Sequence, residues 1–200
     1  MITGLELRAV GVRRGGRKLF EGLSLNLAAG EACALTGANG AGKTSLLRAV
    51  AGLVPLEDGE VVFTGAEADE ARGGDLHLVG HQDGLKPART VREELRFWSV
   101  WSSGSAARVD DAAAALDLTA LLDLEVRRLS AGQRRRLALA KLVAAPRPLW
   151  LLDEPLSPLD AAWRTRFGTM MQSHLAGGGL ILAAVHDPLP IAAQVLEIAA

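Results

Sequence analysis

Absences narrow this chain before any motif does. Its 200 residues include one cysteine, Cys33, so no intrachain disulfide can form, which suits a reducing compartment. Tyrosine is missing altogether, and aromatic residues make up only 4%. Neither sign of charge dominates: 22 Lys and Arg stand against 23 Asp and Glu, for a net charge of −1. That balance argues against the whole-chain basic footprint of nucleic-acid binders. No apolar run approaches the ~20 residues needed to span a bilayer. Residues 1–10 carry Glu6 and Arg8 where a signal peptide would be uniformly apolar. Low-complexity tails, solenoid repeats and long linkers are absent as well. The expectation is a soluble, cytoplasmic chain whose 49% hydrophobic and 22% charged residues suit one globular core. Any membrane role would come through a partner.

What is present reads first as alternating short strands and helices. Residues 5–10, 23–27 and 32–36 predict strands, the second by the alternation of Leu23, Leu25 and Leu27. A glycine-rich turn from Gly37 precedes a helical pattern over 44–53, closed by Pro55. Residues 61–63 predict another strand, 65–75 a polar loop, and 76–80 a short apolar run. Residues 91–129 read as mostly helical, Ala-rich from 106 to 124. The continuous apolar runs 149–152 and 180–185 are of the kind found in strands buried on both faces.

The strongest motif is Gly37-Ala38-Asn39-Gly40-Ala41-Gly42-Lys43-Thr44, a G-x-x-x-x-G-K-T phosphate loop placed between strand and helix. Its glycines let backbone N–H groups curl around phosphate oxygens at a helix N-terminus. Lys43 would meet the β- and γ-phosphates, and the Thr44 hydroxyl would meet Mg²⁺. The run Leu149–Leu152 ends in Asp153 and Glu154, two carboxylates that need a cation or donors if buried. In this setting Asp153 would hold Mg²⁺ and Glu154 would poise a water for attack. Two more apolar runs end in Gln82 and His186, and ligands of open parallel sheets collect at such strand ends. Finally, Leu129-Ser130-Ala131-Gly132-Gln133 offers a capping box, with Ser130 as N-cap and Gln133 three residues on. Arg134, Arg135 and Arg136 follow in a first turn whose dipole favours negative groups. Either a nearby anion offsets that cost or the arginines form a solvated face.

Taken together, these motifs resemble the ATP-binding subunits of ABC transporters over nearly the whole chain. The phosphate loop, Gln82, Leu129–Gln133, Asp153 and Glu154, Ser157-Pro158-Leu159-Asp160 and His186 keep that family's order and approximate spacing. The resemblance implies a P-loop NTPase α/β fold of the ABC type, with a mainly parallel core sheet, an N-terminal antiparallel β subdomain and a helical insertion. Chain 1–200 would be one ATPase domain, with 1–82 and 130–200 as core and 83–129 as helical subdomain. It implies a head-to-tail homodimer sandwiching two ATP, each held by residues 37–45 (through Ser45) of one copy and Ser130, Gly132 and Gln133 of the other. Glu154, His186 and Lys43 would be catalytic; Thr44, Gln82 and Asp153 would serve Mg²⁺; Asp160 would lie at the dimer seam. Within the family the chain looks most like the cytochrome c maturation ATPases, the heme exporter subunits of the CcmA family. Those imply a CcmB-type permease with heme-handling subunits at the cytoplasmic face of the inner membrane. Hydrolysis there serves heme export or release of a heme-loaded chaperone.

One departure concerns adenine. The family usually stacks an aromatic residue on the base, and the aligned residue here is Arg14, whose guanidinium can also stack. Phe97, Trp98 and Trp101 cluster in the insertion, either as its core or as a partner surface. A GTP switch would need an N-K-x-D or T-K-x-D reader, and no Asn or Thr precedes a Lys. Another small ABC exporter, or a non-transport ABC ATPase, is the remaining alternative. A non-catalytic ATP-binding module is disfavoured by Glu154.

Overall fold

A computed structural model describes residues 1–103 and 108–199. Strands β1 (Gly4–Arg14) and β2 (Arg17–Ala28) form a hairpin, and β3 (Ala32–Thr36) leads into helix α1 (Lys43–Val50). Then come β4 (Asp58–Thr64), α2 (Ala68–Gly74), β5 (Leu76–Val79), α3 (Val91–Ser103) and α4 (Val109–Ala115). Two single-turn 3₁₀ helices, Thr119–Leu121 and Val126–Arg128, precede α5 (Ala131–Ala144). The chain continues through β6 (Leu149–Asp153), α6 (Ala161–Ala176), β7 (Leu180–Ala184) and β8 (Gln194–Glu197). Two compact units result: Met1–Leu78 with Arg147–Glu154 and Arg164–Ala200, and Val79–Pro146 with Pro155–Trp163.

The first unit contains an antiparallel sheet of order β2-β1-β4 and a five-stranded sheet of order β5-β6-β7-β3-β8. In the latter, β6–β7, β3–β7 and β3–β8 run parallel. Every residue of β6 and β7 is buried, which is why both read as unbroken apolar runs. Register decides where the chemistry goes. Ala184 pairs with both Asp153 and Leu35, so β3, β6 and β7 end level at one edge. Helix α1 buries Leu46, Leu47 and Val50 in the same core as Leu5, Leu7, Leu35, Leu151 and Leu182. Each such leucine contributes about 1.5–3 kcal/mol. Cys33 is fully buried there, and burial pushes its thiol up to about 11, leaving it inert.

Three elements depart from the sequence reading. Residues 65–75, read as loop, contain α2, of which only Ala71 is buried. Helix α6 turns in just Phe167, Gly168 and Met171, too sparse a stripe to announce itself. Edge strand β8 is mostly exposed and lacks alternation. It nevertheless matters, because Ile198 N donates to Thr36 O at 2.9 Å and brings the Ile198 carbonyl against Gly37.

The second unit packs α3, α4 and α5 around Val91, Leu95, Leu116, Leu118 and Leu137. Residues 104–107 of the helical stretch expected over 91–129 lie outside the described residues. The aromatic cluster divides. Trp98 is half-buried with the Lys141 ammonium 5.0 Å from its ring centroid. Phe97 and Trp101 stack on each other at 6.0 Å and remain 39% and 73% exposed. These two are surface residues.

Two predictions follow from the first unit. His174 of α6 lies flat on Trp150, ring centroids 3.8 Å apart, with Nε2 3.1 Å from the Pro148 carbonyl. Burial lowers its pKa from 6.5, so the unfolded chain takes the proton first and stability is lost as pH falls below that value. Thermal melts between pH 7 and pH 5 should therefore fall more steeply for the wild type than for His174→Phe; equal slopes would contradict this. Gly37 has φ +130°, and a Cβ there would press on the Ile198 carbonyl, whereas Gly40, at φ +83°, faces open space. In urea titrations Gly37→Ala should lose roughly 1 kcal/mol or more beyond Gly40→Ala, which bears backbone strain alone.

Candidate active site

The phosphate loop hangs from the end of β3, and α1 starts at Lys43 directly after it. Gly37, Gly40 and Gly42 all take left-handed backbone, at φ +130°, +83° and +111°. Gly42 is further constrained, since a Cβ would lie 2.8 Å from the Phe20 ring. Ala38, Asn39 and Gly40 are exposed at the rim, while Ala41, Lys43 and Ser45 are buried beneath them. Lys43 Nζ donates to the carbonyls of Gly37 at 2.7 Å and Ala38 at 3.3 Å. The ammonium thus sits inside the curl of the loop, where phosphate oxygens could replace those carbonyls.

Asp153 closes β6 with only 3% exposure. The Thr44 hydroxyl lies 3.1 and 3.0 Å from its two carboxylate oxygens. A hydroxyl and a carboxylate form a hard oxygen donor set of the kind Mg²⁺ takes. No group of three or more His, Cys, Asp or Glu among the described residues could hold a metal alone. A cation here would complete its shell with water and substrate phosphate, the usual habit of Mg²⁺.

Glu154 follows, half-buried, with its backbone N donating to the Ala184 carbonyl at 2.9 Å. Its φ of +51° is left-handed, uncommon for a residue with a Cβ and a mark of stored strain at working sites. The carboxylate reaches His186, whose Nε2 stands 3.3 Å from Oε1. His186 lies just beyond β7 and is exposed on its outer side. Lys43, Thr44, Asp153, Glu154 and His186 therefore gather at the carboxyl edge of one parallel sheet, and chemically they can bind phosphates and position a water.

The remaining candidates lie elsewhere. Arg14 is exposed at the end of the β1–β2 hairpin, paired in register with Arg17. Gln82, exposed, belongs to the second unit, as do Ser130, Gly132 and Gln133. The capping box forms on both sides: Gln133 N donates to Ser130 Oγ at 3.2 Å, and Ser130 N donates to Gln133 Oε1 at 2.8 Å. The first-turn arginines do not form a solvated face. Arg134 donates to the Leu129 carbonyl at 2.5 Å, and Arg136 to those of Leu116 and Asp117 at 2.8 and 3.0 Å. Arg135 is buried among acceptors of the same unit. Carbonyls near and far in sequence, together with the carboxylates of Asp83 and Asp117, absorb this charge. Asp160 accepts from Trp163 N at 2.8 Å and so caps α6.

Residues 20–157 match the ABC transporter family. The cytochrome c biogenesis ATP-binding export protein CcmA of Rhodopseudomonas palustris strain BisB5 is 48% identical, over 100% of this chain and 98% of its own length. The protein of that name from Nitrobacter winogradskyi is 49% identical over 98% and 97%. Among solved structures, a putative ABC transporter ATP-binding protein from Pyrococcus furiosus superposes with a TM-score of 0.83, over 98% of both chains at 20% identity. With fold, strand-end residues and full-length similarity in agreement, the chain belongs to the ABC transporter family, among its CcmA-type ATP-binding proteins.

Proposed function

We propose that the chain is the ATP-hydrolysing subunit of a membrane ABC complex for cytochrome c biogenesis. The observation that carries this reading is the level edge of the parallel sheet, which joins Lys43, Thr44 and Asp153 and sets Glu154 against His186. Backbone N–H groups of residues 38–44 receive the phosphates of ATP at the positive end of α1. Lys43 exchanges its two carbonyl partners for β- and γ-phosphate oxygens. Thr44 and Asp153 would hold Mg²⁺, which would supply positive charge to the phosphoryl group, and the family resemblance gives Gln82 the role of a further ligand. Glu154 orients the attacking water and accepts its proton, and His186 fixes the carboxylate. Arg14 is assigned to the face of adenine.

Ser130 is exposed, with Gly132 and Gln133 half-buried beside it at a capped helix end, which supports the reading that they reach the ATP of a second copy, head to tail. Among the described residues no helix is long and apolar enough to cross a membrane. The second unit has a cavity of about 480 Å³ lined by residues including Gln82, Asp83, Pro87 and Arg127, which supports partner docking there. A CcmB-type permease and its heme-handling neighbours are the proposed partners, at the cytoplasmic face of the inner membrane. The names of the curated relatives support this pathway. Hydrolysis would drive heme export or release of the heme-loaded chaperone.

Steady-state ATPase assays test the site. Lys43→Ala should weaken nucleotide binding, whereas Glu154→Gln should bind ATP normally and turn over about 10²–10⁴-fold more slowly. Wild-type turnover by the Glu154→Gln protein would overturn the assignment. Ser130→Arg should bind ATP as a monomer yet block hydrolysis, and loss of that binding would place the signature in cis. Cells with Glu154→Gln as the only copy should accumulate heme-bound chaperone on the membrane complex and mature little cytochrome c.

A further inference from the structure

Arg135 differs from its neighbours in α5 by being 1% exposed. Its Nε donates to the Pro155 carbonyl at 3.2 Å. Its Nη1 donates to the Gly80 carbonyl at 2.9 Å and to the Asp83 carboxylate at 3.1 Å. These acceptors lie in two segments remote from Arg135 in sequence, yet all belong to the second unit. Gly80 and Asp83 bracket Gln82, whose surroundings from 80 to 86 have no helix or strand to hold them. Pro155 is the residue after Glu154. Burying a guanidinium is costly unless its donors are met, and only a planar fork with several N–H groups reaches divergent acceptors at once. A lysine at this position would offer one point charge in their place.

We infer that Arg135 is a positioning residue for the ATPase reaction: it fixes the chain on both sides of Gln82 to the helix that carries Ser130 to Gln133. Gln82 is then presented in register with the capped end of α5, and the carbonyl of Pro155 is held by the same side chain. A shift of α5 therefore moves the Gln82 segment with it. This rests on the proposed ATPase function, since Gln82 is given work only there.

The test is a double-mutant cycle on the full-length protein, with kcat, KM for ATP and thermal midpoint measured for each variant. Arg135→Lys should lower kcat roughly tenfold or more, the scale of a misplaced reacting group, with KM for ATP within about twofold of wild type. Gln82→Ala should lower kcat as well. In the Gln82→Ala background Arg135→Lys should cost nothing further, because both changes remove the same event. A merely structural role predicts the opposite: losses that multiply and that track the folded fraction. If Arg135→Lys does not fold, Asp83→Asn keeps both carbonyl contacts and removes only the ion pair. It should show a smaller kcat loss that also vanishes with Gln82→Ala. Multiplying losses, or wild-type kcat in a folded Arg135→Lys or Asp83→Asn protein, would overturn the proposal. Absence of ATP turnover in the wild type would instead strike the ATPase reading beneath it.

Discussion

The contact between the Thr44 hydroxyl and the Asp153 carboxylate spans 109 residues of sequence, and the site exists because of it. A carboxylate with 3% exposure is costly without donors, and α1 supplies one at its first turn. The contact is possible only because β3 and β6 both neighbour β7 and stop at the same level. Slipping β6 by one residue would turn Asp153 to the opposite face, and slipping β3 would move the loop away from it. Fold and site therefore share one constraint, the register of three parallel strands.

That constraint was largely readable. Asp153 and Glu154 end an apolar run, and the phosphate loop is spelled in contiguous residues whose chemistry is local. Ser130 and Gln133 form their capping box because both partners sit on one turn. What escaped was whatever depends on distant or sparse contacts. Helix α6 fully buries just Phe167, Gly168 and Met171 of its sixteen residues, too few to mark a stripe. Strand β8 gives no alternation because it lies at a sheet edge. To a local view the arginines after Gln133 have only an anion or water as partners. Their acceptors include carbonyls of residues 80, 116, 117, 129 and 155 and the carboxylates of Asp83 and Asp117, most of them invisible to any window along the chain.

The second unit carries a different balance of forces. The N-terminus of α5 is closed by its own capping box and its first-turn arginines find acceptors within the unit, and Ser130 is left exposed at a finished cap. On the proposed reading, nucleotide is the ligand that links two complete chains. Its binding energy then appears as association of copies and not as folding of one, by ordinary linkage.

Glu154 is pulled two ways. Its φ of +51° suits glycine or asparagine, and holding another residue there costs roughly 1–3 kcal/mol, while the proposed chemistry asks for a carboxylate. Replacement by either favoured residue would relax the backbone as it abolished the function. On the proposed reading, silencing a copy at residue 154 is thus a downhill step in folding free energy. Such a copy would still bind ATP and still occupy a place in any dimer. On that reading the demand for turnover favours an acid at residue 154, while its backbone favours glycine or asparagine.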